Sequence, residues 1–274
     1  MKFVLIAYAN EACEFSLRRI GRQARKLGIF SDVLLWRPKD LPKYIADSKL
    51  MQFSYGGGYW AWKPCIIWET LQMYDDETVV CYVDSGSTLK PGVEWVLYYE
   101  LMKQYDAVLF KYRDEMPIWE RFGSTSTKIK YWTKKTAIEF YDKYVGNEEW
   151  RDDNKVWGGL VFVKGRNNEI VKSWLDIVLN NPEVIQDPLL NEEQFDGFAQ
   201  HKHDQPTITA LARKYMEKCI VLPELSESCG DRVAVYASRV RCATVVDYWI
   251  LKVKNTIRKI VGDRCVKVLK SSIK

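Results

Sequence analysis

Three clusters in the chain combine side-chain types that can do chemistry. Tyr82-Val83-Asp84-Ser85-Gly86 places a carboxylate directly after an apolar run, where it can reach a bound cation or a ribose. The same Asp-Ser-Gly triplet also suits a plain turn, since Asp hydrogen-bonds its own backbone and Gly tolerates the bend. Tyr55 to Pro64, YGGGYWAWKP, interleaves three glycines with aromatic rings and ends on Lys63 and Pro64. Glycines allow close backbone approach to a ligand, Trp60 and Trp62 offer faces for a sugar or a base, and a lysine at a helix start suits a phosphate. The bland reading is a loop whose tryptophans are core. The segment lacks the GxxxxGK[ST] pattern, so no P-loop is implied. Gln200 to Pro206, QHKHDQP, holds the only two histidines, His201 and His203, beside Asp204 and Gln205. Imidazole and carboxylate this close suit metal ligation or general-base work, while Asp204 is equally a good helix N-cap.

These clusters need a scaffold, and the hydrophobic pattern supplies one. Short apolar runs of strand length at Lys2 to Ala9, Asp32 to Trp36, Thr78 to Val83, Asp106 to Phe110, Gly159 to Val163 and Cys219 to Leu222 alternate with helical spacing. The helices are expected at Cys13 to Leu27, from Pro64, at Pro91 to Gln104, Lys134 to Tyr144, Asn168 to Leu179 and Gln205 to Lys218. Strands apolar on both faces, alternating with helices, predict an α/β fold with a mostly parallel central sheet flanked by helices. Ligands in such sheets bind outside the carboxyl ends of the strands, where Asp84 would lie. Leu179 to Asp204 has weak periodicity and reads as a loop wall over the site.

Composition removes several classes. The chain has 274 residues, 47% hydrophobic and 28% charged, which is globular and consistent with one large domain. No apolar run approaches the roughly 18 residues of a spanning helix. Seven scattered cysteines without a CxxC pair argue against a disulfide framework or structural zinc and fit a reducing cytoplasm. The formal charge of +5 is uneven: Trp249 to Lys274 carries eight Lys and Arg against Asp263, which leaves the rest slightly acidic. A nucleic-acid-binding body is therefore not expected. On a helical wheel Ile250, Val253, Ile257, Ile260, Val261, Cys265 and Val268 share one half, so the tail predicts a basic amphipathic helix. Such a helix suits an anionic membrane surface, or packing on the domain or on a second subunit. The expected division is 1–223 for the body and 224–274 for a C-terminal helical extension.

Taken in order, GGGYWAWKPxxIxETL, YVDSG, WTKK, WGGLVFVK and HKHDQ resemble bacterial glycosyltransferases of capsular-polysaccharide or lipopolysaccharide biosynthesis, over most of Tyr55 to Lys214. The resemblance implies a GT-A-like single domain that moves a sugar from a UDP- or GDP-sugar onto a glycan or lipid-linked saccharide acceptor. It puts Asp84 in the place of an acidic DxD-type motif whose second Asp is missing here, beside Ser85. It leaves the need for a divalent cation, Mn²⁺ or Mg²⁺, open: Asp84 would bind one directly or through water, or contact only ribose, and His203 would complete the metal site or hydrogen-bond the diphosphate, with Lys63 set near the donor. Asp204 and Gln205 take the late polar pair that reaches sugar or acceptor, with Glu192 and Glu193 as loop alternatives for the carboxylate. Tyr8 and Asn10, at the end of the first strand, would meet the base. Arg121, Lys134 and Lys135 around Trp132 could face phosphates, although charged helix faces are usually just solvated. The implied location is the cytoplasm, or peripheral on the inner face of its membrane. A non-catalytic nucleotide-sugar or carbohydrate-binding protein on the same fold is the rival reading, prompted by the missing second Asp.

Overall fold

The computed structural model describes residues 1–114, 124 and 126–257. In chain order it contains β1 (Phe3–Tyr8), α1 (Glu14–Leu27), β2 (Asp32–Trp36), α2 (Lys43–Ala46), the turn α3 (Gly56–Tyr59) and α4 (Trp62–Gln72). There follow β3 (Val79–Val83), β4 (Thr88–Leu89), α5 (Glu94–Leu101), β5 (Ala107–Lys111), α6 (Lys135–Val145), β6 (Leu160–Lys164), α7 (Glu169–Asn180), α8 (Asp204–Lys214), β7 (Cys219–Pro223) and β8 (Val235–Tyr236). Residues 245–257 form a further helix.

Six strands make one sheet in the order β2-β1-β3-β6-β5-β7. Its β1–β2, β1–β3 and β5–β7 pairs are parallel, whereas β6 runs against both β3 and β5. The sheet is thus mostly parallel with one reversed strand, and the chain is α/β, as the alternation of apolar runs implies. β1, β3 and β6 are buried along essentially their whole length, which is why they read as unbroken hydrophobic runs.

The reversed β6 matters for the site. Val83 at the end of β3 pairs with Leu160 at the start of β6, so the sequence preceding β6 lies beside the residue following β3. The Asp84 N–H closes this junction by donating to the Gly159 carbonyl at 2.9 Å.

α4 begins two residues before Pro64, which sits inside its first turn where a missing N–H costs nothing. α5 is shorter than the expected Pro91 to Gln104. Residues 224–243, placed by sequence in the C-terminal extension, pack on the body. β8 pairs antiparallel with β4, Glu224 is fully buried, and the Val240 N–H donates to the Gly86 carbonyl at 2.9 Å. Gly86 has a steric reason to be glycine, since a Cβ there would stand 3.3 Å from the Val240 carbonyl oxygen.

The helix of 245–257 starts on a capping box. Thr244 Oγ1 accepts the Asp247 N–H at 3.2 Å, and Asp247 Oδ2 accepts the Thr244 N–H at 2.9 Å. Tyr248 rests on Phe15 of α1 with ring centroids 5.2 Å apart. Val246, Trp249, Ile250, Val253 and Ile257 are all exposed, so much of its apolar surface is left uncovered by the described residues. The remainder of the expected amphipathic tail, from 258 on, lies outside the described residues, as does Arg121. Among the described residues no helix is long and apolar enough to cross a membrane.

Candidate functional site

The three glycines of the Tyr55–Pro64 cluster are explained by backbone geometry. Gly56, Gly57, Gly58, Tyr59 and Trp60 all take positive φ, at 61°, 59°, 93°, 54° and 61°. The Tyr59 N–H donates to Tyr55 O at 2.9 Å and the Trp60 N–H to Gly56 O at 3.3 Å, giving one turn wound left-handed. Left-handed winding costs an L-residue about 1–2 kcal/mol, a penalty three glycines avoid and two aromatic residues retain. The turn points Trp60 and Tyr55 toward the carboxyl edge of the sheet. Trp62, by contrast, is buried: it stacks on Tyr8 at 4.0 Å and donates its Nε1–H to the Gly56 carbonyl at 3.0 Å.

Beneath that turn lies a cavity of about 200 Å³ where the three clusters meet. α4 contributes Lys63, the residue after β3 contributes Asp84, and the start of α8 contributes His203, Asp204 and Gln205. Lys63 is 2% exposed, and its ammonium donates to Asp204 Oδ2 at 2.5 Å and to the Gly158 carbonyl at 2.9 Å. It also stands 5.2 Å from the centroid of the Tyr82 ring. The Tyr82 hydroxyl donates in turn to Asp84 Oδ1 at 2.6 Å. Desolvation and the neighbouring Asp84 carboxylate push the Tyr82 phenol well above its ordinary range, so it remains a donor. Gly158 makes the ion pair possible: a Cβ there would fall 2.6 Å from Asp204 Oδ2 and 3.1 Å from the Lys63 ammonium.

The two histidines differ. His201 is satisfied on both nitrogens, with Nδ1 accepting the Lys134 N–H at 3.3 Å and Nε2 donating to the Val184 carbonyl at 3.0 Å. Burial holds it well below the ordinary imidazole range, as a neutral structural residue. His203 donates Nδ1–H to the Ile185 carbonyl at 2.9 Å, which leaves Nε2 as a lone-pair acceptor. That Nε2 is buried without a hydrogen-bond partner among the described residues, and Gln205 Oε1 is in the same condition. Both residues line the cavity. Buried acceptors without donors are uncommon, and both atoms are closed off from the open space of the cavity although their residues line it. His203 adopts φ 51° and ψ −97°, an unusual backbone for a non-glycine residue. The rings of Tyr55, Tyr59 and Trp60 surround it at 5.1–5.4 Å.

Other sequence-selected residues lie elsewhere. Tyr8 is 7% exposed under Trp62 and does not line the cavity, and burial raises its phenol to about 12. Asn10 is exposed before a short 3₁₀ turn, and Ser85 is half-buried in the turn closed by the Ser87 N–H on Asp84 O at 2.9 Å. Glu192 accepts from the Thr136 hydroxyl and N–H at the start of α6, and Glu193 pairs with Lys135 at 2.9 Å. Both loop carboxylates thus serve the start of α6. Lys134 is 4% exposed and donates its ammonium to the Asp187 carbonyl at 3.4 Å.

Asp84 and His203 line the same cavity, and a divalent cation between them would need further ligands from substrate or water. Among the described residues no three His, Cys, Asp or Glu gather at metal-ligand spacing. The His203 Nδ1–H on the Ile185 carbonyl is an arrangement that ligating histidines also use, but its Nε2 is closed off and has Asp187 Oδ1 at 3.7 Å. Asp84 is the carboxylate that remains for a cation carried in by a substrate.

Sequence reading missed several lining residues. Trp157 and Gly158 precede the reversed β6, and Glu227, Arg239 and Arg241 come from the segment after β7. The Trp-Gly-Gly run was a visible signal for the first pair. Nothing in ELSESCGDRVAVYASRVRC distinguishes the second group until the segment is seen crossing Gly86. Lys155 is buried against the rings of Trp132 and Tyr112, at 3.8 and 4.7 Å, and desolvation lowers its ammonium to about 6.

No family model matches the chain, and no curated protein matches it. Among solved structures it is similar to a glycosyltransferase involved in the glycosylation of the major capsid of PBCV-1, at 11% identity and a TM-score of 0.44, covering 81% of this chain and 82% of that one. It is similar to mouse xyloside xylosyltransferase 1 in its apo form, at 12% identity and a TM-score of 0.40, covering 81% and 85%. It is also similar to core-mannan synthase A from Aspergillus fumigatus, solved in an Mn/GDP form, at 9% identity and a TM-score of 0.37, covering 81% and 72%. These neighbours are glycosyltransferases; at such scores the likeness adds no weight to the geometry above.

Proposed function

We propose that the chain is a GT-A-type glycosyltransferase that moves a sugar from a nucleotide-diphospho-sugar onto a glycan or lipid-linked saccharide in surface-polysaccharide synthesis. The observation that supports it is the convergence of three sequence-distant clusters on one cavity at the carboxyl edge of the sheet, lined by Lys63, Asp84, His203, Asp204 and Gln205. Cleaving a sugar–diphosphate bond develops positive charge at the anomeric carbon and negative charge on the leaving diphosphate. Asp204 is the carboxylate for the first, able to take the acceptor hydroxyl proton or to stabilise the oxocarbenium-like carbon. Lys63 holds its geometry from below, which makes it a positioning residue. His203 and Gln205 line the space beside it, and Trp60 and Tyr55 give the rim its apolar faces.

The basic tail and the exposed stripe of 245–257 fit an anionic membrane, which would bring the enzyme to a lipid-linked acceptor. Release of UDP or GDP from a panel of nucleotide sugars, with acceptor saccharides and with or without Mn²⁺, tests the reading. Binding of nucleotide sugars without release or transfer from any of them would leave the non-catalytic rival in its place.

A further inference from the structure

A diphosphate brings two or more negative charges into the cavity, and Asp84 by itself repels it. Among the described residues five basic side chains line the space, Lys63, Lys155, Lys202, Arg239 and Arg241, and burial lowers the Lys155 ammonium to about 6 so that it adds little charge near neutral pH. Lys63 is committed to Asp204 and Gly158. Arg239 donates to Glu227 Oε1 at 2.6 Å yet keeps about half of its side chain exposed. Arg241 is exposed and has no carboxylate within ion-pair distance among the described residues. Both arginines sit on residues 237–241, a strap fixed directly over the Asp84 turn. The Val240 N–H donates to the Gly86 carbonyl at 2.9 Å, and the Ser238 hydroxyl to the same carbonyl at 3.0 Å. Beyond them, the Cys242 N–H donates to Ser16 Oγ at 2.9 Å and anchors the strap to α1. Arg239 has φ +52°, so its backbone departs from the ordinary regions at this point.

We propose that Arg239 and Arg241 are diphosphate-binding residues, and that their guanidinium groups supply the positive charge that the gathered carboxylates and imidazoles do not assemble around a metal ion. A guanidinium offers paired N–H donors that match two phosphate oxygens, and it cannot be deprotonated near neutral pH. The identity of the diphosphate as a nucleotide-sugar donor rests on the transferase reading above; the anion site itself does not.

The test is calorimetric titration in EDTA with inorganic pyrophosphate, UDP and GDP, and with uridine and guanosine as phosphate-free controls. Wild type binds pyrophosphate and a nucleoside diphosphate. Arg241→Ala weakens both by roughly tenfold or more, the scale of a lost charged hydrogen bond, and adding Arg239→Ala weakens them further. Nucleoside binding does not change. Glu227→Gln removes the competing carboxylate and tightens pyrophosphate, a sign that mere structural damage would not produce. Unaltered melting of the exposed-site variant Arg241→Ala controls for folding. Wild-type affinity for pyrophosphate in the double variant overturns the inference and leaves the transferase reading intact. Arginine-dependent pyrophosphate binding without turnover of any nucleotide sugar sinks that reading and supports the anion site. No binding of pyrophosphate or nucleoside diphosphate by wild type in EDTA overturns the inference, and the transferase reading then stands or falls on UDP or GDP release with Mn²⁺.

Discussion

The Lys63–Asp204 pair allows structural and chemical roles to be separated by experiment. Lys63 is 2% exposed and the Asp204 side chain 11%, so removing either partner strands the other in a low-dielectric site. Breaking a buried pair costs about 3–5 kcal/mol, most of it the penalty on the uncompensated charge. Lys63→Met also strips the Gly158 carbonyl of its donor at 2.9 Å, which places it at the upper end. For a chain of this size, 1 kcal/mol moves the midpoint about 2–4 °C, so each single variant should melt roughly 6–20 °C lower. The double variant Lys63→Met/Asp204→Leu has no stranded charge and should recover most of that loss, giving a coupling of at least about 2 kcal/mol in a double-mutant cycle. Activity follows a different rule. Asp204→Asn should lower turnover at least about a hundredfold, measured well below its melting point, and the double variant should be no more active despite its recovered stability. Additive single effects each under about 1 kcal/mol would refute the buried pair. Near-normal transfer by Asp204→Asn would remove Asp204 from the chemistry while leaving the pair in place.

Other expectations are equally direct. Gly158→Ala puts a Cβ 2.6 Å from Asp204 Oδ2, so it should cost about 1–3 kcal/mol and most of the activity, seen by melting and turnover together. Burial keeps His201 and His203 below the ordinary imidazole value of 6.5, so the unfolded chain binds more protons beneath that pH; the midpoint should fall as pH drops from about 6.5, and His201→Gln should make that slope shallower. Glu224 acts with the opposite sign, because burial raises its carboxyl from 4.5 to about 7 and its stabilising contribution is lost as pH rises through that window; Glu224→Gln should therefore gain stability relative to wild type at pH 8 but not at pH 4. Full-length chain should float with anionic vesicles while a chain truncated before Trp249 does not, and equal behaviour of the two would remove membrane contact from the proposal.

Much of this protein was legible in the residue order. The apolar runs at Phe3–Tyr8 and Val79–Val83 have strand length and no polar face, so they could be buried only inside a sheet covered on both sides. The polar clusters after those runs and at helix starts supply side chains that line one cavity, because strand ends and helix N-termini are where backbone groups remain available. Residue type alone could not separate Trp60 from Trp62 or His201 from His203. Each pair shares chemistry and differs only in what surrounds it: Trp62 stacks on Tyr8 while Trp60 reaches the rim, and Val184 satisfies one imidazole while the other keeps a vacant acceptor.

The direction of β6 and the return of the strap over Gly86 were likewise decided by tertiary structure. A strand's hydrophobic pattern is the same read either way, so nothing local tells Leu160–Lys164 that it must run against β3 and bring Gly158 to the Lys63–Asp204 pair. Arg239 and Arg241 are ordinary exposed arginines until hydrogen bonds far apart in sequence carry them to the mouth of the cavity. Local order set which elements form, since periodicity and capping act over a few residues. Which side chains share one small volume was set by long-range packing, which no short window of sequence contains.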